Sequence, residues 1–120
     1  MNEYIEKGFW QEMADLVVSN PIVIDRPRGK AHPNFPDLIY PLDYGYVEGT
    51  LAADGDGIDV WIGPLEGRAL TGILYTYDIV DRDAEIKLLL GCTDDEVGEI
   101  LNFISDDMRY MYMPNPKEEQ

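Results

Sequence analysis

A chain of 120 residues with 45% hydrophobic and 28% charged side chains has enough apolar material for one core, so we expect a single domain over residues 1–120. Its 24 acidic and 9 basic side chains give a net charge of −15, which disfavours nucleic-acid binding. The single cysteine excludes an internal disulfide, and no apolar run approaches the roughly 18 residues that span a bilayer. We therefore expect a globular, cytoplasmic protein with no membrane partner.

The N-terminal part of the chain is predicted to form a helix, a short strand and an ordered loop. Residues 3–18 carry apolar side chains at helical spacing, which predicts an amphipathic helix that ends at Asn20-Pro21. The β-branched run at 22–24 favours a strand. Four prolines between Arg26 and Pro41 fix φ and remove backbone donors, which predicts a mostly ordered loop. The apolar residues of the predicted helix are Ile5, Phe9, Met13, Leu16 and Val17.

The rest of the chain is predicted to form a small sheet followed by a helix. Residues 44–62 indicate a strand, a tight acidic loop and a second strand. Residues 71–77 and 86–90 indicate two further strands. A capping-box pattern at 93–96 begins a C-terminal helix, whose apolar residues recur at helical spacing up to Ile104. The elements together predict a small antiparallel sheet or barrel with a helix on each side.

The acidic loop has the clearest chemistry in the sequence. Asp54, Asp56 and Asp59 lie at i, i+2 and i+5, and the glycines between them allow a turn tight enough for the three carboxylates to converge. Converging anions need a cation, and hard oxygen ligands suit Mg²⁺ or Mn²⁺. The pattern therefore predicts a divalent metal site in this loop.

Two other interpretations of this loop apply. An EF-hand needs an oxygen ligand, a glycine and a glutamate at positions that hold Ile58, Asp59 and Leu65 here, which excludes a calcium loop of that type. A surface hairpin turn rich in aspartate and glycine stays open as an alternative when the loop is considered alone.

The residues around the loop resemble a known family. Residues 39–46 read Ile-Tyr-Pro-Leu-Asp-Tyr-Gly-Tyr, Thr50-Leu51 follows, and residues 54–60 read Asp-Gly-Asp-Gly-Ile-Asp-Val. This order and spacing resemble the signature region of the soluble family I inorganic pyrophosphatases. The resemblance is most specific over residues 39–62, and it identifies the chain as a short, divergent member of that family.

The resemblance implies a fold and a metal site. It implies an α+β protein with a small antiparallel OB-like β-barrel, flanked by an N-terminal and a C-terminal helix. In the family the corresponding aspartates hold Mg²⁺, so the resemblance gives metal-ligand roles to Asp54, Asp56 and Asp59. Asp56 would also help to activate the attacking water.

The resemblance also assigns roles outside the loop. Tyr44 would correspond to an active-site tyrosine that takes part in catalysis, and Tyr40 to one that contacts the substrate. Residues 24–27 resemble a family strand that ends in a glutamate and a proline, which would place Asp25 among the metal ligands of the acidic wall.

A second acidic cluster precedes Lys87. Glu85-Ile86-Lys87 is similar to the family's acid-x-lysine step, which makes Glu85 a metal ligand and Lys87 a catalytic phosphate contact. A solvated loop between two strands is the alternative for this segment. The candidates for one further metal ligand, among which the residues alone do not choose, are Asp78, Asp81 and Asp83.

The chain departs from the family on the phosphate-binding side. Its segment between Pro27 and Tyr40 is shorter and lacks a hairpin that carries a lysine, a glutamate and an arginine. A tyrosine-lysine pair after the C-terminal helix is also absent, with Arg109-Tyr110 as the nearest substitute. The candidate replacements for the missing positive charges in substrate binding are Arg26, Arg28 and Lys30.

These features predict an Mg²⁺-dependent hydrolase that splits inorganic pyrophosphate, a small-molecule phosphoanhydride, into two phosphates. One alternative keeps the metal site and changes the substrate to a nucleotide or another small organic diphosphate. Another is a non-catalytic relic that binds metal or phosphate. Tyr110, Tyr112 and the nearby methionines either form the contact of a homo-oligomer or cover the barrel. His32 and Cys92 are expected to have structural roles.

Overall fold

The computed structural model describes residues 6, 8–53, 55–104 and 106–116. No helix in these ranges is both long and apolar enough to cross a membrane. The elements in chain order are α1 Phe9–Ser19, β1 Ile22–Arg26, β2 Asp43–Val47, β3 Ile58–Ile62, a 3₁₀ turn Glu66–Arg68, β4 Leu70–Asp78, β5 Asp83–Leu90, α2 Asp94–Phe103 and β6 Met108–Pro114.

The six strands form one mixed sheet in the order β1-β2-β3-β5-β4-β6. The predicted α+β class and the OB-like arrangement are confirmed. Two details differ from the prediction. The sheet is open between the edges β1 and β6, and β3 pairs parallel to β5 while the other neighbours are antiparallel. After β3 the chain passes beyond the position of β5 and forms β4, which runs antiparallel to β5. β5 then fills the place between β3 and β4 and runs in the same direction as β3.

Both faces of the sheet are covered by apolar side chains. On β5, Leu88 and Leu90 belong to the core beneath α1, whereas Leu89 belongs to the core beneath α2. On β3, Val60 and Trp61 divide in the same way. Successive side chains of a strand point to opposite faces, so a central strand that is buried on both sides carries a continuous apolar run.

The N-terminal helix forms where its apolar spacing predicts, but the described helix begins at Phe9 rather than at residue 3. Ile5 of the predicted apolar face lies outside the described residues. Trp10 and Val17 are the buried side chains of α1. Trp10 was not among the predicted face residues, although it lies seven positions before Val17 and therefore shares its helical face.

The C-terminal helix begins at the predicted capping box. Thr93 is the N-cap, and its backbone N–H donates to the Glu96 carboxylate at 2.7 Å. Val97 and Ile100 are buried beneath the helix as predicted. Cys92, immediately before the cap, packs in the same core, and burial raises the pKa of its thiol to about 12.

The sixth strand, β6, is the element that the sequence pattern did not predict. It pairs antiparallel with β4, so Tyr112 lies opposite Leu74 and Met113 opposite Ile73. Tyr112 packs against the core beneath α2 and Met113 against the core beneath α1. Because both faces of this segment are apolar, the alternation that identifies a strand is missing from its sequence.

The proline-rich segment between β1 and β2 is ordered, as predicted. Ala31 and Ile39 form an isolated antiparallel bridge. The backbone N–H of His32 donates to the carbonyl of Leu38 at 2.8 Å, and that of Tyr40 donates to Lys30 at 2.9 Å. The segment therefore folds back on itself as a small excursion from the edge of the sheet.

Candidate active site

A cleft of about 620 Å³ opens at one end of the sheet. It lies on the same face of the sheet as α2. Carboxylate, phenol and cationic side chains from β1, β2, β3, β5 and the acidic loop converge on it. The predicted site residues that line this cleft are Asp25, Arg26, Tyr44, Asp56, Asp59, Glu85 and Lys87.

Strand register explains why residues distant in sequence meet here. Asp59 on β3 lies opposite both Tyr46 on β2 and Lys87 on β5. Glu85 is two residues before Lys87 on the same strand, so both side chains face the same side. The neighbouring strands β3 and β5 thus bring an acid, a base and a second acid to one end of a single face.

A β-bulge adds two neighbouring side chains to the same cleft. The register of β1 shifts between Ile24 and Arg26, which leaves Asp25 as the extra residue. Consecutive strand residues ordinarily point to opposite faces, but a bulge re-aims them. Asp25 and Arg26 consequently both line the cleft.

Lys87 is the electrostatic centre of the site. Its Nζ donates to the Tyr44 hydroxyl at 2.8 Å, to Asp59 Oδ2 at 3.0 Å and to Glu85 Oε1 at 3.2 Å. Its side chain is only 13% exposed. An ammonium group has three donors, and each has an acceptor here.

Burial and nearby charges shift the pKa values of Lys87, Tyr44 and Glu85. Burial by itself would lower the pKa of Lys87, but Tyr44, Asp59 and Glu85 reverse the effect and hold it above its ordinary value. Burial raises the pKa of the Tyr44 phenol, which Lys87 only partly opposes. Burial likewise raises the pKa of Glu85, again against the pull of Lys87. At neutral pH the site therefore holds a charged lysine beside a neutral phenol.

The acidic loop is closed by its own hydrogen bonds. The Ala52 N–H donates to the carbonyl of Asp56 at 2.6 Å, and the Ile58 N–H donates to the Thr50 hydroxyl at 2.9 Å. Gly55 has a φ of +92°, a conformation that glycine adopts without strain. Asp56 and Asp59 reach the cleft from this loop and its following strand. Asp54, the remaining predicted ligand of the loop, lies outside the described residues.

Arg26 and Tyr40 form a pair beside the cleft. Arg26 Nη1 donates to the Tyr40 hydroxyl at 2.5 Å, and this hydrogen bond raises the pKa of Arg26. Tyr40 is 3% exposed and does not line the acidic cleft. It lines a second cavity, together with Arg26, Tyr44 and Lys87, which line the cleft as well.

The other predicted site residues do not line the cleft. Arg28 and Lys30 are exposed on the excursion, where the Arg28 backbone N–H donates to Asp43. Asp78 ends β4 opposite Asp83, the first residue of β5. Asp78 Oδ1 accepts the backbone N–H groups of the turn between them, and Asp83 is exposed. Metal-ligand roles for Asp78 and Asp83 stay predictions.

The cleft has the chemistry that a hard divalent cation requires. Its potential ligands are the carboxylates of Asp25, Asp56, Asp59 and Glu85, all of them oxygen donors. Within the described ranges, which omit Asp54, no group of three or more acidic, histidine or cysteine side chains is close enough to hold a metal ion. These carboxylates therefore supply oxygen donors to the cleft but do not by themselves form a metal site in the described part of the chain.

Trp61 is a site residue that the sequence analysis missed. It follows Asp59 by two positions on β3 and so lies on the same face, where it lines the second cavity. Period-2 alternation from Asp59 would have identified it. His32, Phe35 and Phe103 also line that cavity, but only the fold brings them there.

Comparison with known proteins adds sequence and fold similarity. The chain is 26% identical over 109 residues to an inorganic pyrophosphatase of Corynebacterium glutamicum, covering 78% of this chain and 69% of that protein. It is 32% identical over 80 residues to an inorganic pyrophosphatase of Halalkalibacterium halodurans, covering 60% and 48% respectively. An inorganic pyrophosphatase structure from Helicobacter pylori matches with a TM-score of 0.55 at 16% identity, over 80% of this chain and 84% of that one. No protein-family model matches the chain.

The fold and the cleft together define a small α+β protein with a carboxylate-lined site at one end of an OB-like sheet. The similarities reported above confirm the resemblance found in the sequence. The chain is similar in sequence and in fold to inorganic pyrophosphatases.

Proposed function

We propose that this protein is a divalent-metal-dependent hydrolase of inorganic pyrophosphate. The observation that carries the proposal is the convergence of Asp56, Asp59 and Glu85 with Lys87 and Arg26 on one cleft of about 620 Å³. The names of the related proteins, all inorganic pyrophosphatases, support the same substrate. The net charge of −15 supports a small-molecule partner rather than a nucleic acid.

A pyrophosphate ion needs positive charge near its oxygens, because the rest of the protein repels it. Among the described residues, Arg26 and Lys87 are the cationic side chains that line the cleft. The high pKa of Lys87 keeps it charged at neutral pH. Phosphoryl transfer depends mainly on positioning and electrostatic stabilisation, and these two side chains supply both from fixed strands.

Carboxylates of the acidic loop and its strand would hold the metal. We assign this role to Asp56 and Asp59 with Asp54, and place Asp25 and Glu85 on the flanking walls. Mg²⁺ is the proposed cation and Mn²⁺ the alternative, because both prefer oxygen ligands. When bound, the cation neutralises phosphate charge and makes a water molecule more acidic.

We assign the handling of protons to two side chains. Asp56 lies on the loop above the cleft, where its carboxylate would orient the attacking water and accept a proton from it. Tyr44 accepts a hydrogen bond from Lys87 and also hydrogen-bonds to Asp59, so its hydroxyl hydrogen would become available to a phosphate oxygen once Asp59 holds the metal. Burial keeps this phenol neutral, which preserves that donor.

Location and assembly are part of the proposal. The single free cysteine supports a cytoplasmic location, since reduced thiols persist there. Tyr110 and Met111 are exposed on the edge strand β6, at 53% and 59%, and are the proposed contact if the protein forms a homo-oligomer.

Phosphate release from pyrophosphate, measured with and without Mg²⁺, tests the proposal. Asp56→Asn is expected to lower turnover on the order of 10²–10⁴-fold, because it removes a carboxylate that serves both metal and water. Asp15→Asn, an exposed aspartate on α1, is the matched control and should turn over normally. Normal turnover by Asp56→Asn would remove this residue from the mechanism, and the absence of any phosphate release by the unaltered protein would refute the proposed activity.

A further inference from the structure

A second cavity, of about 230 Å³, adjoins the acidic cleft. Arg26, Tyr44 and Lys87 line both spaces, so they form a shared wall. The remaining lining differs sharply from that of the cleft, because it is dominated by aromatic and aliphatic side chains. A ligand with two chemically different parts could therefore occupy both spaces, with its charged part in the cleft.

The cavity has a built outer wall, which the proline-rich excursion supplies. His32, Phe35 and Leu38 line it from this side. The Phe35 N–H donates to the His32 carbonyl at 3.3 Å, and the rings of these two residues are 5.1 Å apart. The His32 ring also lies nearly parallel to that of Tyr40, at 7° and 6.0 Å. The short segment that replaces the family's charged hairpin thus forms an aromatic surface.

An unpartnered donor lies in the inner wall. Trp61 lines the cavity and is 3% exposed, yet its indole N–H has no hydrogen-bond acceptor in the described part of the chain. Its ring is held edge-on against Tyr44 at 4.6 Å and Phe103 at 5.6 Å. The N–H itself is buried, so the Trp61 ring contributes an apolar aromatic surface to this wall.

The other buried tryptophan with an unpartnered N–H does not face this cavity. Trp10 lies in the core beneath α1, on the opposite face of the sheet. Trp61 lies instead on the face where the aromatic lining of the second cavity adjoins the acidic cleft.

We propose that the second cavity binds the planar organic group of an organic diphosphate, such as the base of a nucleoside diphosphate, while the diphosphate lies in the acidic cleft. This inference rests on the proposed phosphoanhydride chemistry and names a further substrate class for the same site. Aromatic walls stack against a flat ring. The small volume favours a single ring, as in a uridine nucleotide.

The polar groups of the cavity argue against an aliphatic occupant. Thr76 is 5% exposed, and both it and Asp78 line the cavity. A purely hydrocarbon group would cover these polar groups without offering a hydrogen bond, which is unfavourable. A base with carbonyl and N–H groups offers both acceptors and donors.

The reaction on such a substrate is an ordinary hydrolysis. Water oxygen forms a bond to the terminal phosphorus as the bond from that phosphorus to the bridging oxygen breaks. The electron pair stays on the bridging oxygen, which leaves as part of the nucleoside monophosphate. The other product is orthophosphate, and at neutral pH one proton is released to solvent. No oxidant, reductant or further reactant is required.

Phosphate release from uridine diphosphate, pyrophosphate and dimethylallyl diphosphate, each with Mg²⁺, tests the inference. We expect uridine diphosphate to be hydrolysed, with a kcat/KM about tenfold or more above that of dimethylallyl diphosphate. Hydrolysis of pyrophosphate without hydrolysis of uridine diphosphate would overturn the inference and leave the proposed function standing. Equal or better turnover of dimethylallyl diphosphate would overturn the planar ligand.

Variants of the aromatic wall separate this cavity from the cleft. Phe35 is 56% exposed, so Phe35→Ala should fold normally. It should raise KM for uridine diphosphate about tenfold and leave pyrophosphate hydrolysis unchanged, because only the stacking contact is lost. Val18→Ala, another exposed apolar residue on α1, is the matched control. Unchanged KM in Phe35→Ala would contradict the assignment.

Binding measurements keep the inference testable without turnover. The probes are α,β-methylene-uridine diphosphate and methylenediphosphonate, in which a bridging carbon prevents cleavage. Calorimetry measures the dissociation constant of each probe. Phe35→Ala removes the exposed ring of the aromatic wall, so it should weaken the nucleotide analogue about tenfold and leave methylenediphosphonate unchanged. Failure of the unaltered protein to bind the nucleotide analogue would overturn the inference, whether or not pyrophosphate is hydrolysed.

Discussion

Lys87 shows how one side chain organises several opposite charges. It contacts Asp59, Glu85 and Tyr44 within 3.2 Å, although these four residues come from three strands. Two carboxylates that share a low-dielectric cleft repel each other unless a cation separates them. Lys87 provides that separation before any metal is bound, so it both stabilises the fold and prepares the cleft.

Removing the Tyr44 hydroxyl tests this arrangement. Tyr44→Phe leaves one Lys87 donor without its acceptor and removes the phenol proposed to contact phosphate. We expect the free energy of unfolding to fall by about 1–2 kcal/mol and kcat to fall about tenfold. Urea unfolding and phosphate-release kinetics measure the two effects.

The control for that variant is Tyr110→Phe, which removes a phenol exposed on β6. It should change neither stability nor turnover. If Tyr44→Phe matched this control in both measurements, the link between Tyr44 and Lys87 would have no functional role.

At the scale of elements, the contact between β1 and β2 depends on one glycine. Gly45 lies opposite Ile24, and a Cβ at this position would be 1.9 Å from the carbonyl oxygen of Val23. The obstacle is backbone, which cannot move aside as a flexible side chain can. The close approach places the bulge of β1, and hence Asp25 and Arg26, against the cleft.

Gly45→Ala is therefore expected to destabilise the protein by roughly 3 kcal/mol or more, because the strands must separate. Gly98→Ala is the matched control, since Gly98 lies within α2 and a Cβ there meets nothing within 4 Å. That change should stabilise the protein by up to about 1 kcal/mol through helix propensity. Thermal unfolding of both variants measures the difference, and equal effects would contradict the close approach.

The N-terminus of α2 provides a prediction with a pH signature. Hydrogen bonds from the Thr93 side chain and backbone hold the pKa of Glu96 below its ordinary value of 4.5. A carboxylate with a lowered pKa stabilises the fold above its unfolded pKa, and the contribution is lost as the pH falls through the folded pKa.

Glu96→Gln should accordingly cost about 0.5–1 kcal/mol at neutral pH, and the cost should shrink as the pH falls below 4.5. Urea unfolding over this range measures it, with Glu99→Gln on the same helix as the control. A cost that grew towards acid pH would have the wrong sign for a capping carboxylate.

At the scale of the whole molecule, an excess of negative charge is combined with a local acidic cleft. The net charge of −15 weakens the folded state by self-repulsion, and the four cleft carboxylates add to it locally. A divalent cation that binds only the folded protein shifts the equilibrium towards folding.

Mg²⁺ is thus expected to raise the melting temperature by several degrees beyond the effect of NaCl at the same ionic strength, because binding to the folded state adds free energy. Asp59→Asn should remove most of this difference, whereas Asp15→Asn should keep it. Differential scanning calorimetry measures the shift. Equal increases in melting temperature with the two salts would show that screening of charge repulsion, rather than binding of Mg²⁺, causes the stabilisation.

Much of the fold was predictable because local patterns carry it. Five strands and both helices follow from apolar spacing, and the Thr93 cap from four adjacent residues. The parallel pairing of β3 with β5 was not predictable, because strand order depends on contacts between distant segments. β6 was missed because both of its faces are apolar.

The candidate site likewise combines features that local sequence patterns predict with features that depend on the fold. The sequence by itself determined the acidic loop, with Asp56 and Asp59, since their spacing and the neighbouring glycines act over a few residues. Only the tertiary structure decided that Lys87 lies between Asp59 and Glu85, that a bulge turns Asp25 and Arg26 into the cleft, and that an aromatic cavity adjoins it. The physical reason is that strand register and packing, which no local pattern encodes, set the distances between side chains far apart in the chain.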